Sequence, residues 1–478
     1  MQRLNVRVDW QRAAIPLIIV AACALALGLG MAMAQFGFGV REVVILSLGV
    51  MGVALAVMSN ERALRVGFSL WLFTFALGWR TLYLTSVLNI HPIEVMGYLL
   101  LFLVILQSIV WRKPLDLHIP KLLLLLLAFA FIGILTGLAR GAPLDNMLQE
   151  FKNFVVLIPI YYLVQWFIRD RRDFERTANI LIIVATYIAG LGFIDFFLPG
   201  LSRSIANDPS TNPIFIADSY AGNTFARVGF IFFGNFSAGF VIFAFFGFTI
   251  HHFLRAYGKE RNQTVLFGAL AAIQLFAMYL SGFRGLWYAV IAFAVAYSLV
   301  RARALILLAL GFAALPFLPE NFFRRLVSVF VSSEADSSQL GRIERAQGAL
   351  DAFYQSPLFG VGLSGSGYVH SDLIQIAANL GVFAILTLAA WWGDLMLKVL
   401  RLQRRRDWNG DYAAAMFAML VGNLVVLAGE GTLTFLQLIA PIWLMCVLVY
   451  KLHALTAEAE AVALPLQTSI GQTPLVKR

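Results

Sequence analysis

Apolar residues run in long unbroken blocks along this chain, each ended by a short polar or basic break. Each block is about the length an α-helix needs to cross a ~30 Å hydrocarbon core, roughly 20 residues at 1.5 Å apiece. Read in order, the blocks predict helices over approximately 13–34, 43–58, 66–84, 93–111, 121–138, 152–168, 178–198, 228–254, 264–283, 285–300, 304–318, 372–397, 412–429 and 432–450. Several are short or closely spaced, so the expectation is about 12–14 transmembrane helices. Leu, Ala and Phe follow one another without alternation, whereas membrane-barrel strands alternate over about ten residues. The predicted fold class is therefore all-α, a polytopic integral membrane helical bundle spanning residues 1–455, with a disordered cytoplasmic tail over 456–478.

Composition supports this reading. Of the 478 residues 60% are hydrophobic and only 13% charged, against roughly 25% charged in a soluble chain. The net charge of +10 would suggest a nucleic-acid partner in a soluble protein. Here the basic residues lie in short clusters between apolar blocks, as topogenic charges do, and no nucleic acid is expected. Arg3, Arg7 and Arg12 before an apolar run ending near Ala32-Met33-Ala34 resemble a signal peptide, but the run is long and is read as an uncleaved first span. Cys23 and Cys446 both fall inside apolar segments, so no disulfide framework or cysteine-based metal site is expected.

The charges also give a direction. With the N-terminus inside, every connection on that side is basic, including Arg62/Arg65, Arg169/Arg171/Arg172/Arg176, Arg255/Lys259/Arg261, Arg301/Arg303 and Lys398/Arg401/Arg404/Arg405/Arg406. This distribution follows the positive-inside rule and places both termini in the cytoplasm. Two connections on the other side are long, about 199–227 and 319–371, and long loops in a compact bundle are usually functional. In Gly341–Tyr354, Ile343, Ala346, Leu350 and Phe353 recur at helical spacing, which predicts a short helix lying on the bundle or the membrane surface.

A few polar residues stand where they are costly. Arg284 interrupts an apolar region in Ser281-Gly282-Phe283-Arg284-Gly285, Arg227 opens the span after the first long loop, and Arg80 sits near the outer end of its helix. The ordinary alternative for each is snorkelling to lipid headgroups. Of the histidines only His91 and His370 face outward, and His370 follows a glycine-rich run, Gly360-Val361-Gly362-Leu363-Ser364-Gly365-Ser366-Gly367-Tyr368. That run lacks the Lys-Ser/Thr ending of a phosphate loop. Glu344 and Glu430 are also external acids, read as ordinary surface or loop carboxylates that could orient or deprotonate a neighbour.

The topology thus brings Arg227, Arg284 and His370 to one face from three parts of the chain. Two guanidinium forks suit a diphosphate, and an imidazole can accept a hydroxyl proton. No Asp-rich metal motif lies outside, so neither a metal site nor a cofactor is expected.

The stretch Arg342…Ser356-Pro357-Leu358-Phe359-Gly360-Val361-Gly362…His370-Ser371-Asp372-Leu373…Gly381 resembles the signature of the bacterial O-antigen ligase superfamily, which includes O-antigen and exopolysaccharide polymerases. The Ser281–Arg284 turn and the Arg227…Gly234-Asn235 run are similar to two further motifs of that family, and the resemblance covers roughly residues 140–400. Ser371 stands where the family often has Asn. The resemblance implies a metal-independent, inverting membrane glycosyltransferase of the C-type fold, in a bacterial inner membrane with a periplasmic active site. It implies a donor oligosaccharide linked to undecaprenyl diphosphate and a glycan or lipid A core acceptor, with membrane lipids as surroundings. Arg227 and Arg284 would then bind the diphosphate and His370 would act as base or orient the acceptor. Arg342, Glu344, Tyr368 and Arg80 would be further substrate contacts. The alternative class is a polytopic transporter or lipid-linked glycan flippase, which would show internal repeats and broken helices near the midplane; no repeat is visible in the chain.

Overall fold

The computed structural model describes residues 61–76, 82–83, 89–111, 119–198, 214–220, 223–228, 234–301, 304–314, 337–432 and 435–470. The expected helices over 13–34 and 43–58, the residue Arg80 and the last part of the tail lie outside them. Two compact units divide the chain, one of residues 1–71 and 93–118, the other of 72–92 and 119–478.

The first unit holds all but the last two residues of α1 (Glu61–Phe73) and all but the first of α2 (Pro92–Trp111). Leu64, Phe68 and Trp71 form one buried stripe on α1 at the spacing of a helix face. Trp71 Nε1 donates to the Ile93 carbonyl at 3.0 Å, so the buried indole keeps its hydrogen bond.

The second unit begins with a two-stranded antiparallel pairing, β1 (Leu82–Tyr83) with β2 (Asn89–Ile90). It continues with α3 (Lys121–Ala139), α4 (Leu144–Val155), α5 (Leu157–Phe167) and α6 (Arg171–Phe197). Pro159, in the first turn of α5, has no N–H to bond the Val155 carbonyl, and the chain breaks there instead of continuing α4. The Asp170 side chain caps α6 by accepting from Asp173 N at 2.8 Å. A hairpin of β3 (Ile214–Tyr220) and β4 (Asn223–Val228) follows, rich in Ile, Phe, Tyr and Val, the residues that favour extended chain. Then come α7 (Gly234–Ala256), α8 (Arg261–Leu280), α9 (Arg284–Val300), α10 (Leu305–Ala314), α11 (Ser337–Gln355), α12 (Asp372–Leu402), α13 (Trp408–Gly429) and α14 (Leu436–Ile470). The last helix runs past Thr456 into the segment expected to be a disordered tail.

Among the described residues nine helical segments are long and apolar enough to cross a membrane, with α4 and α5 counting as one. The fold is an all-α polytopic membrane bundle with two short ribbons. α7 and α14 form its centre, their spanning windows 89% and 78% buried, while α3 and α8 are only 28% buried. The exposed face of α3 carries Leu124, Leu125, Phe131, Leu135 and Leu138. So much exposed apolar surface on one helix fits lipid as its solvent.

One irregularity positions the site. Gly381 breaks α12 with φ 82°, a backbone conformation open chiefly to glycine. Across the break the Gly-rich loop takes over the helix's own partners. Val361 N donates to Ala378 O at 2.9 Å, Gly362 N to Asn379 O at 2.9 Å, and Val382 N to Pro357 O at 2.8 Å. In an unbroken helix Val382 N would bond Ala378 O. A Cβ on Gly381 would stand 2.2 Å from the Leu358 carbonyl oxygen.

Candidate functional site

Four elements meet at one end of the bundle. α11 presents Arg342 and Arg345, three residues apart and so on one face. The loop after α11 delivers Tyr368 and His370 to the start of α12, where Ser371 caps the helix by accepting from Ile374 N at 3.5 Å. Glu430 stands at the end of α13, with its N–H bonded to Val426 O at 2.8 Å. α9 points its N-terminus at the same place with no side-chain cap.

The acid is the centre of the group. Glu430 is 2% exposed, and its Oε1 accepts from Arg342 Nη1 at 3.4 Å. Its Oε2 stands 3.9 Å from His370 Nδ1 and makes no hydrogen bond. A Cβ built on Gly285 would lie 2.9 Å from Oε1, so the carboxylate rests against the first turn of α9. The uncapped N–H groups and partial positive charge of a helix start favour an anion there. Only a residue without a side chain at 285 allows this approach, and Arg284 is its immediate neighbour at the head of the helix.

His370 is engaged on both nitrogens. Arg345 Nη1 lies 3.4 Å from Nε2 and Tyr368 Oη 3.2 Å from Nδ1. A guanidinium can only donate, so Arg345 donates to Nε2, which holds the lone pair. The ring proton then sits on Nδ1 and donates toward Tyr368 Oη, on the side facing Glu430. Burial, and after it the Glu430 charge, pushes the Tyr368 phenol up to about 12, so its hydroxyl stays protonated through the neutral range.

The acid end is tied to the histidine end through the backbone. Asp372 is buried and its Oδ2 accepts from Thr432 N at 3.0 Å and from the Thr432 hydroxyl. This joins the first residue of α12 to the segment that follows Glu430. Among the described residues, no group of three or more His, Cys, Asp or Glu side chains is arranged to hold a metal ion.

The sequence-predicted residues divide as follows. The structure brings Arg342, Tyr368 and His370 together, with Arg284 heading the helix that touches Glu430. Glu344 is exposed on α11 and forms no ion pair within this group. Arg227 does not open a span: it lies in β4 opposite Phe215, and α7 begins later, at Gly234. β4 packs against α6, α7 and α8. The ribbon forms because its extended-favouring residues pair with each other before the apolar block begins. Glu430, expected as a loop carboxylate, is buried at the centre of the group because Arg342 and the start of α9 compensate its charge. The sequence reading did not single out Arg345, although its spacing of three from Arg342 in an amphipathic stretch was a usable signal.

The face of α11 that packs shares Phe353 with the expected stripe but is otherwise turned from it. Ala349, Ala352 and Phe353 pack with Val369, Ile374 and Ala378, while Ile343 and Leu350 are 51% and 39% exposed. Small alanines allow the close approach that carries Arg342 and Arg345 to His370.

No curated protein matches the chain. A family model described as O-antigen ligase matches residues 269–389, a stretch that includes Arg284, Arg342, Arg345, Tyr368 and His370. The match covers about a quarter of the chain, is narrower than the resemblance over 140–400 and ends before Glu430; over that stretch it supports the resemblance to the O-antigen ligase superfamily.

Proposed function

We propose that the protein transfers a glycan from a polyprenyl diphosphate donor, such as undecaprenyl diphosphate, to an acceptor hydroxyl at the periplasmic face of a bacterial inner membrane, as an O-antigen ligase or surface-polysaccharide polymerase. The observation that carries this reading is His370 held between Arg345 and Glu430, with Arg342 beside it, in and next to the segment matching the O-antigen ligase family.

In the proposed step the acceptor oxygen forms a bond to the anomeric carbon as the bond from that carbon to the diphosphate oxygen breaks, inverting the centre. His370 Nε2 takes the hydroxyl proton. The leaving diphosphate carries negative charge, and Arg284, with Arg227 and the α11 arginines, would neutralise it, since guanidinium groups stay charged and bind phosphate oxygens in pairs. Arg345 now covers Nε2. Its long exposed side chain must move off for the base to act, and a bound diphosphate gives it a stronger partner. Tyr368 and Glu430 keep the ring oriented through Nδ1.

The test is reconstitution with a lipid-linked oligosaccharide and two acceptors, a lipid A core and a second lipid-linked unit. Wild-type protein should extend one of them, while Arg284→Ala and His370→Ala inserted normally in the membrane should give no product. Product from either variant removes that residue from the chemistry. A cysteine at position 366 should react with an impermeant label from outside; protection there would reverse the orientation.

A further inference from the structure

α4 carries an acid at the level of the Gly-rich loop that the proposed chemistry does not use. Glu150 receives four hydrogen bonds: on Oε2 from Ser364 N at 3.0 Å and Asn379 Nδ2 at 3.2 Å, and on Oε1 from Ser364 Oγ at 3.0 Å and Gln375 Nε2 at 3.5 Å. Asn379 returns a bond to the same loop, its Oδ1 accepting from Ser366 N at 3.0 Å. All four partners of the carboxylate are neutral donors. A carboxylate in an apolar bundle is expensive, and such acids usually have a functional reason to be there.

The adjoining cavity measures about 10 Å³ and has Phe154, Leu363, Ile376 and Leu380 in its wall. That is roughly the space of one water, too small for a sugar or a phosphate. The acid therefore holds protein, and what it holds is unusual. Ser364 is the one non-glycine residue with positive φ among the described residues, at 61°. Such a conformation persists only where the surroundings over-determine it, and here Glu150 takes both its N–H and its hydroxyl. Six residues further on the same loop presents His370.

We infer that Glu150 is a positioning residue: it clamps Ser364 and thereby fixes the loop that sets the place of Tyr368 and His370. The inference rests on the proposed transferase reading for its catalytic consequence, but the clamp itself can be read without turnover. In Glu150→Gln the acceptor loses its charge and one oxygen becomes a donating nitrogen, so charge-assisted bonds are replaced by weaker neutral ones even where the Ser364 hydroxyl and the Gln375 amide turn to accept.

The experiment compares wild-type and Glu150→Gln protein in lipid nanodiscs by hydrogen exchange and by carbethoxylation of His370 with diethyl pyrocarbonate. Exchange over 360–370 should rise about tenfold, the scale of one lost hydrogen bond, His370 should be modified faster, and peptides of α7 and α13 should be unchanged. Unchanged exchange over 360–370 overturns the clamp, and so does a rise spread over the whole bundle. In the transfer assay kcat should fall about tenfold with donor KM within about twofold, the pattern of a group that positions the reacting residues without binding the donor. Wild-type protein without transferase activity refutes the proposed function alone; active wild-type protein with undiminished kcat in Glu150→Gln refutes the positioning role alone.

Discussion

The Glu430 carboxylate bonds the Arg342 guanidinium at 3.4 Å with one oxygen and faces His370 Nδ1 at 3.9 Å with the other. A buried acid this close to an imidazole favours the proton on Nδ1, the side already facing Tyr368, and under the proposed function it would stabilise the imidazolium formed when Nε2 takes a proton. Glu430→Gln keeps the shape and removes the charge. Transfer should fall by about 10²-fold, the scale of a lost general-base orientation, with normal membrane insertion. Undiminished turnover would leave Glu430 with a packing role only.

Arg345 offers a contrast, because it is exposed. Arg345→Ala should change thermal stability by no more than about 0.5 kcal/mol, as surface substitutions do, while raising donor KM. Lysine at 345 should restore the charge but only part of the affinity, since an ammonium lacks the paired donors of the fork. Wild-type KM in Arg345→Ala would remove this side chain from donor binding.

Tyr368 gives a pH prediction. Its phenol is pushed up to about 12 by burial and by Glu430, against an ordinary value near ~10. Between these values the folded chain holds a proton that the unfolded chain has lost, so this residue's contribution to stability falls as pH rises through that window. The wild-type minus Tyr368→Phe ultraviolet titration should show a tyrosine ionising near 12. A difference step near ~10 would contradict the burial of this hydroxyl.

Gly381→Ala should be costly, because the backbone conformation alone is worth about 1–3 kcal/mol at a non-glycine residue. The new Cβ would also stand 2.2 Å from Leu358 O. Thermal unfolding in detergent should shift down by several degrees; an unshifted transition would mean that the loop can withdraw from the α12 break without loss.

Much of the bundle was legible from continuous apolar blocks, because lipid imposes a length on each span. The order of burial was not. α7 is central and α8 peripheral although their spanning windows are equally apolar on average, so composition does not separate them. The glycine-rich run and His370 were legible as a place where backbone comes close to something. Glu430 was not, since a single acid between Gly429 and Gly431 looks like any loop residue until Arg342, far away in sequence, is folded onto it. Glu150 was missed for a different reason. The apolar block was read as starting at 152, which put the acid in a polar break, whereas the helix begins at Leu144.

The position of Glu430 has a consequence for how this chemistry can be moved between proteins. The family match closes at residue 389, yet the buried acid that meets Arg342, His370 and Gly285 comes from beyond it. Residues 269–389 are therefore not a portable cassette. A chimera that grafts this stretch into another protein keeps Arg345 and Tyr368 on the histidine but inherits whatever side chain the host supplies at the end of α13 to balance Arg342.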